Sequence, residues 1–156
     1  MANKETHILS KAAYDKYIQE LADLKGPIRD KNIQDLKEAR SQGDLSENAD
    51  YDAARDKQAE IEGRIKEIER LLKVSSVADE TNVIGNLFKT IEVHFIDDDE
   101  DDEFTIVDTH EADVMNNKIS SSSPLGEKLL HAKVGQKVTI EPDEAEPYNV
   151  IIISIK

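Results

Sequence analysis

The sequence predicts an α+β protein: an N-terminal antiparallel α-helical coiled-coil hairpin followed by an antiparallel sheet with one short helix. Three observations predict it. Apolar residues recur at alternating steps of three and four as far as Leu72, the cadence of a helix–helix seam. Beyond Lys73 that period gives way to short β-branched and aromatic runs, which read as strands. Third, 35% of the 156 residues are charged, 4% are aromatic and none is Trp. That is too little bulky apolar material for one deep core, and it favours a solvated elongated part beside a modest globular one. The reading divides the chain into a hairpin over residues 1–76, a linker over 77–82 and a sheet domain over 83–156.

The first arm has a readable start. Ser10 suits the N-cap, and Leu9 before it can pack on Tyr14 as a hydrophobic staple. Tyr14, Tyr17, Leu21, Leu24 and Ile28 follow at seam spacing. Gly26-Pro27 interrupts the pattern, and proline's missing donor and crowding ring predict a kink. Ile33, Leu36 and Ala39 resume the stripe in a shifted phase, and Gly43 suits a left-handed helix terminus. The second arm is more regular: Tyr51, Ala54, Gln58, Ile61, Ile65, Ile68 and Leu72. Arms of about 30 residues, rising about 1.5 Å each, would set the turn on the order of 45 Å from the base. Small residues near the turn (Ala39, Ala49, Ala53 and Ala54) would let the arms approach closely.

In the second half, 91–96 and 104–107 read as strands, and the seven-residue acidic run from Asp97 to Glu103 as a solvated hairpin turn. Ser123-Pro124 looks like an N-cap followed by proline at the first helical position, opening a short helix to about His131. Residues 137–140 and 150–155 close the domain as strands, the last apolar enough to be central and covered on both faces.

Composition also excludes function classes. The net charge is −14. Residues 1–80 carry 14 basic and 18 acidic groups, and the remainder 6 and 16. Autonomous binding to nucleic acid needs clustered Lys and Arg, so any such contact must be local and assisted by a partner. There is no cysteine, hence no disulfide and no thiolate chemistry. Without an apolar leader or a membrane-length run, the expectation is an intracellular, cytoplasmic protein, and the charge favours a monomer. His7, His94, His110 and His131 lack metal-ligand spacing and read as surface residues.

The turn Gly43-Asp44-Leu45-Ser46-Glu47-Asn48-Ala49-Asp50-Tyr51 carries the chemistry. Asp44 and Glu47, three apart, fit a capping box, with Ser46 an alternative cap. The same two carboxylates could instead hold one hard cation such as Mg²⁺, with a partner supplying the missing ligands. Arg40 and Arg55, with Lys37 and Lys57 nearby, are either solvated partners for surrounding acids or a small patch gripping a phosphate backbone.

That turn, with Ala53-Ala54-Arg55 and Ile61-Glu62-Gly63-Arg64-Ile65, resembles bacterial transcript-cleavage factors of the GreA/GreB family. In the second half, Phe104-Thr105-Ile106-Val107, Glu111-Ala112-Asp113, Lys118-Ile119-Ser120 and Ser123-Pro124-Leu125-Gly126 are similar in order and spacing. The resemblance implies an FKBP-like C-terminal domain and RNA polymerase as partner. It implies that the globular domain docks at the rim of the polymerase secondary channel through Ser122, Ser123 and Pro124, and that the coiled coil enters the channel. Asp44 and Glu47 would then share the polymerase's second Mg²⁺, and Arg40 and Arg55 would contact the RNA 3′ end. The implied role is stimulation of the polymerase's own cleavage of backtracked RNA, so the chain is a factor and not an enzyme. A channel-blocking inhibitor, or a coiled-coil adaptor without a metal role, are the competing functions. Asn48 and Tyr51 belong to the motif but are read as shaping the turn. Asp108 stands where the family usually has glycine, and Pro142 with its acidic neighbours replaces a Pro-x-Gly turn.

Overall fold

A computed structural model describes residues 7–43 and 48–156. They divide into a helical unit, Lys11–Ser76, and a second unit made of His7–Ser10 with Val77–Lys156.

In the helical unit, α1 (Lys11–Asp23) and α2 (Arg29–Ser41) are joined by a π-helical stretch, Leu24–Ile28. Gly26 leaves the helical region there, at φ −103° and ψ −107°. It precedes Pro27, whose ring disfavours α geometry in the residue before it, so the expected kink is present. The extra residue of this wide turn rotates the following helix. Asn32 and Ala39 are the buried residues of α2, while Ile33, read as part of the stripe, is 41% exposed. Asn32 keeps its place inside by donating from Nδ2 to the Ala54 carbonyl (3.0 Å).

The returning arm, α3 (Ala49–Val74), buries Ala54, Ile61, Ile65, Ile68 and Leu71. Leu24, Ile61, Ile65 and Ile68 form the cluster between the arms, with Tyr17, Leu21 and Leu72 packed against it. Of the four small residues near the turn, Ala39 and Ala54 are buried, whereas Ala49 and Ala53 face outward. Charged pairs flank the seam. Arg29 grips Glu62 with two hydrogen bonds (2.9 and 3.0 Å), Arg64 grips Glu20 likewise (2.7 and 3.1 Å), and Lys25 meets Glu69 at 2.5 Å. The hydrogen bond to Glu20 is the main reason the Arg64 pKa is raised.

In the second unit, β1 (His7–Leu9) contributes the fully buried Leu9. Its carbonyl accepts from the Ala78 N–H (2.7 Å). After β2 (Ser75–Val77), where the chain passes between units, come β3 (Thr90–Phe95), β4 (Glu100–Val107), β5 (Lys118–Ser120), α4 (Pro124–Leu130), β6 (Lys137–Ile140) and β7 (Tyr148–Ile155). The sheet order is β5-β4-β3-β7-β6. β3 pairs antiparallel with β4 and β7, and β6 antiparallel with β7, but β4 and β5 run parallel. The sheet is therefore mixed and not purely antiparallel. Two short 3₁₀ turns, Thr109–Glu111 and Val114–Asn116, give the chain the length to return to the same end of the sheet before β5.

Two further expectations need correction. Only 96–99 form the turn of the acidic hairpin; Glu100 to Glu103 extend β4 and pair with 92–95. His94 lies against this strand, 2.6 Å from Asp101 and 3.5 Å from Asp99. β7 is internal to the sheet, yet it buries only Val150 and Ile152 fully, and Ile153 is 39% exposed. One face is covered, as in most antiparallel sheets. That covered face holds Ile91, Val93, Ile106, Ile140, Val150 and Ile152, closed by Leu129 of α4.

Candidate functional site

The turn is built from its two flanking helices. α2 ends at Gln42, followed by Gly43 at φ +111°, a positive value as read from the sequence. Asp44, Leu45, Ser46 and Glu47 lie outside the described residues. The cap of α3 is Asn48 and not Asp44 or Ser46: its Oδ1 accepts from the Tyr51 N–H (3.0 Å). Its Nδ2 donates to the Ala39 carbonyl at the end of α2 (2.6 Å). One side chain thus caps the second helix and ties it to the end of the first.

Arg40 and Arg55 are brought together, as the patch reading requires. What joins them is Tyr51. The two guanidinium carbons lie 5.7 and 5.9 Å from its ring centroid, within cation–π range. Both groups also donate to its hydroxyl, at 3.5 Å from Arg40 and 3.2 Å from Arg55. Hydrogen bonds from Arg40 and then Arg55 hold the phenol below the ordinary tyrosine pKa, and the bond to Tyr51 raises that of Arg55. Tyr51 is therefore part of the basic patch, a role its reading as a turn former missed. The available signal was its spacing: Arg55 lies four residues on, on the same helical face. Lys57 points instead to Glu60 (3.4 Å).

The second group of sequence-assigned residues lies at the start of α4. Ser123 accepts from the Gly126 N–H (3.0 Å) and donates to the Ser120 carbonyl (2.7 Å), so it is the N-cap, with Pro124 at the first turn. Ser122 and Pro124 are exposed, Ser123 less so. Ser122 shares hydroxyl contacts with Thr109 (2.9 Å) and Ser120 (2.8 Å). A Cβ at Gly126 would fall 1.9 Å from the Ser120 carbonyl oxygen, so only glycine lets the helix start sit this close to β5. These contacts fix the Ser-Pro-Leu-Gly surface as a rigid corner.

Fold and site together define a two-part factor, a helical hairpin with an acid-bearing turn and a sheet unit with a rigid Ser-Pro corner. The description "Transcription elongation factor, N-terminal" matches residues 7–77, and "Transcription elongation factor, GreA/GreB, C-term" matches residues 86–156. The chain belongs to the GreA/GreB family of transcription elongation factors. It is 45% identical over 159 aligned positions to transcription elongation factor GreA of Acholeplasma laidlawii, covering 99% of each chain. It is 40% identical to GreA of Chloroherpeton thalassium, covering 95% of this chain and 96% of that one. Among solved structures, GreA factor homolog 1 of Thermus thermophilus aligns over 97% of this chain and 99% of its own, with 26% identity and a TM-score of 0.45.

Proposed function

We propose that this chain acts on RNA polymerase as a transcript-cleavage factor. The hairpin enters the secondary channel, and Asp44 and Glu47 reach the active site, where they share a Mg²⁺ ion with the polymerase. The corner formed by Ser122, Ser123 and Pro124 docks at the channel rim. The observation that carries this reading is the cap: Asn48 meets the need at the start of α3. The capping task read for Asp44 and Glu47 is thereby taken by another residue, which leaves these two carboxylates, three apart in the sequence, available to a metal.

The donor set suits magnesium. Two carboxylates are hard oxygen ligands, and they are too few to complete an octahedral shell alone, so the polymerase supplies the remainder. Held by those carboxylates and the polymerase's ligands, a magnesium ion would supply a lowered water pKa and Lewis-acid polarisation of the scissile phosphate. Asp44 and Glu47 hold charge and position at that site. Arg40 and Arg55, gathered on Tyr51, present two guanidiniums of fixed spacing to the phosphates of the extruded RNA 3′ end. The catalytic centre belongs to the polymerase, and this chain stimulates it without being an enzyme itself.

The test is cleavage in stalled, backtracked elongation complexes. Asp44→Asn and Glu47→Gln should each abolish stimulated cleavage while leaving polymerase binding within about twofold. Unchanged cleavage by both variants sinks the proposal. Slowed transcription without cleavage by the wild-type chain would mark it as a channel-blocking inhibitor instead.

A further inference from the structure

The second unit holds a cluster that neither the motif nor the proposed cleavage role uses. His7 of β1, Asp108 and His110 converge where the first 3₁₀ turn follows β4. The two histidines address the two oxygens of one carboxylate. His7 Nδ1 lies 3.0 Å from Asp108 Oδ2, and His110 Nδ1 lies 2.9 Å from Asp108 Oδ1. Their rings meet edge to face, with centroids 4.6 Å apart. One ligand atom from each residue falls within 4.8 Å of the others.

We propose that His7, Asp108 and His110 form a binding site for one zinc-type divalent cation, which ties β1 to the turn after β4. The chemistry narrows the ion. Two imidazoles and one carboxylate, without thiolate, make up the three-ligand set of open zinc sites, in which water takes the remaining position; ferrous iron uses the same donors, and zinc serves as the redox-inert probe of the class. Magnesium and calcium prefer shells made of oxygen. The distances are compatible. Ligands about 2.0–2.1 Å from a metal stand about 2.9 Å apart across a right angle and about 3.3 Å apart across a tetrahedral one. The nitrogen–oxygen separations of 2.9 and 3.0 Å reach the two different oxygens of the carboxylate, and one atom from each residue falls within 4.8 Å of the others, so the side chains must draw together by up to about 1.5 Å to close a tetrahedral shell.

Preorganisation supports the same conclusion. Asp108 is held by the His110 backbone N–H, which donates to Oδ1 (2.9 Å), and its side chain is only 12% exposed. Next to it, Glu111 accepts from both the backbone N–H (3.0 Å) and the hydroxyl (2.5 Å) of Ser10. The segment 7–10 is therefore already seated against 108–111. A bound cation would fix residues 101 positions apart in sequence, closing a long loop of the unfolded chain.

The experiment is titration of tag-free full-length protein with zinc chloride by calorimetry, with histidine-ring NMR and thermal unfolding in parallel. The expected result is one zinc per chain, ring shifts at His7 and His110 but not His131, and a higher Tm with zinc. His7→Ala and His110→Ala should each weaken binding by more than about tenfold. His94→Ala should leave binding unchanged, which separates this site from the acidic hairpin. Asp44→Asn should also leave it unchanged, so the outcome is independent of the cleavage role. Magnesium should not compete. Absence of stoichiometric zinc binding, or binding that survives both histidine variants, overturns the proposal. Should a variant unfold, the ring shifts of the wild-type chain decide alone.

Discussion

Replacing Asn48 by alanine removes two hydrogen bonds from the hairpin turn. The first is the cap to the Tyr51 N–H (3.0 Å), and losing such a cap costs about 1 kcal/mol. The second is the amide bond to the Ala39 carbonyl (2.6 Å). That carbonyl keeps the Gln42 N–H (3.3 Å), so it is not orphaned, and the loss is one net hydrogen bond, about 1 kcal/mol. The expected total is about 2 kcal/mol, felt as local opening of the turn. By the usual conversion that is about a 30-fold rise in the population of the open form. Hydrogen exchange followed by mass spectrometry reads it directly: amides at 49–54 should lose about 30-fold in protection, while the sheet unit is unchanged. Asn48→Ser keeps a capping acceptor and removes the amide donor without setting a second oxygen against the Ala39 carbonyl, so it should lose about half as much free energy. A rise below about threefold in the alanine variant, or equal damage from serine, would refute the two-bond account.

Gly126→Ala should destabilise the sheet unit by about 1–3 kcal/mol, because its Cβ would meet the Ser120 carbonyl oxygen at 1.9 Å; urea unfolding monitored on β-sheet signal checks it. Tyr51 and Tyr148 should titrate on opposite sides of the ordinary tyrosine pKa. Tyr51 ionises early because Arg40 and then Arg55 donate to its phenolate, and Tyr148 late because burial disfavours its charge. In ultraviolet titration, Tyr51→Phe should delete the first part of the absorbance rise and Tyr148→Phe the last, and Arg40→Ala should move Tyr51 back up. The Arg64–Glu20 pair, with both side chains more than a third exposed, should show a coupling of about 0.5–1 kcal/mol in a double-mutant cycle, shrinking with salt.

The α4 start was legible because it depends on neighbours in the chain: Ser123 caps Gly126 and proline fixes the first turn. The Gly26-Pro27 kink was legible for the same reason. Ile33 was misplaced because the phase beyond a π-helical turn depends on how many residues that turn absorbs, which packing against α3 decides. The cap was misassigned because Asp44, Ser46 and Asn48 are all competent on local grounds. Only the position of the Ala39 carbonyl at the end of the other helix selects Asn48.

By itself the sequence determined the periodicities, and with them a helical hairpin, a sheet unit with one short helix, and a turn bearing Asp44 and Glu47. These follow from side-chain spacing and local steric rules, which act over a few residues. The parallel edge pairing of β4 with β5, the stacking of Arg40 and Arg55 on Tyr51, and the meeting of His7 with Asp108 and His110 were decided only by the tertiary structure. Apart from Arg55, which stands one helical turn from Tyr51, each brings together groups whose separation along the chain carries no spacing signal, so their distances are set by the packing of the elements that bear them.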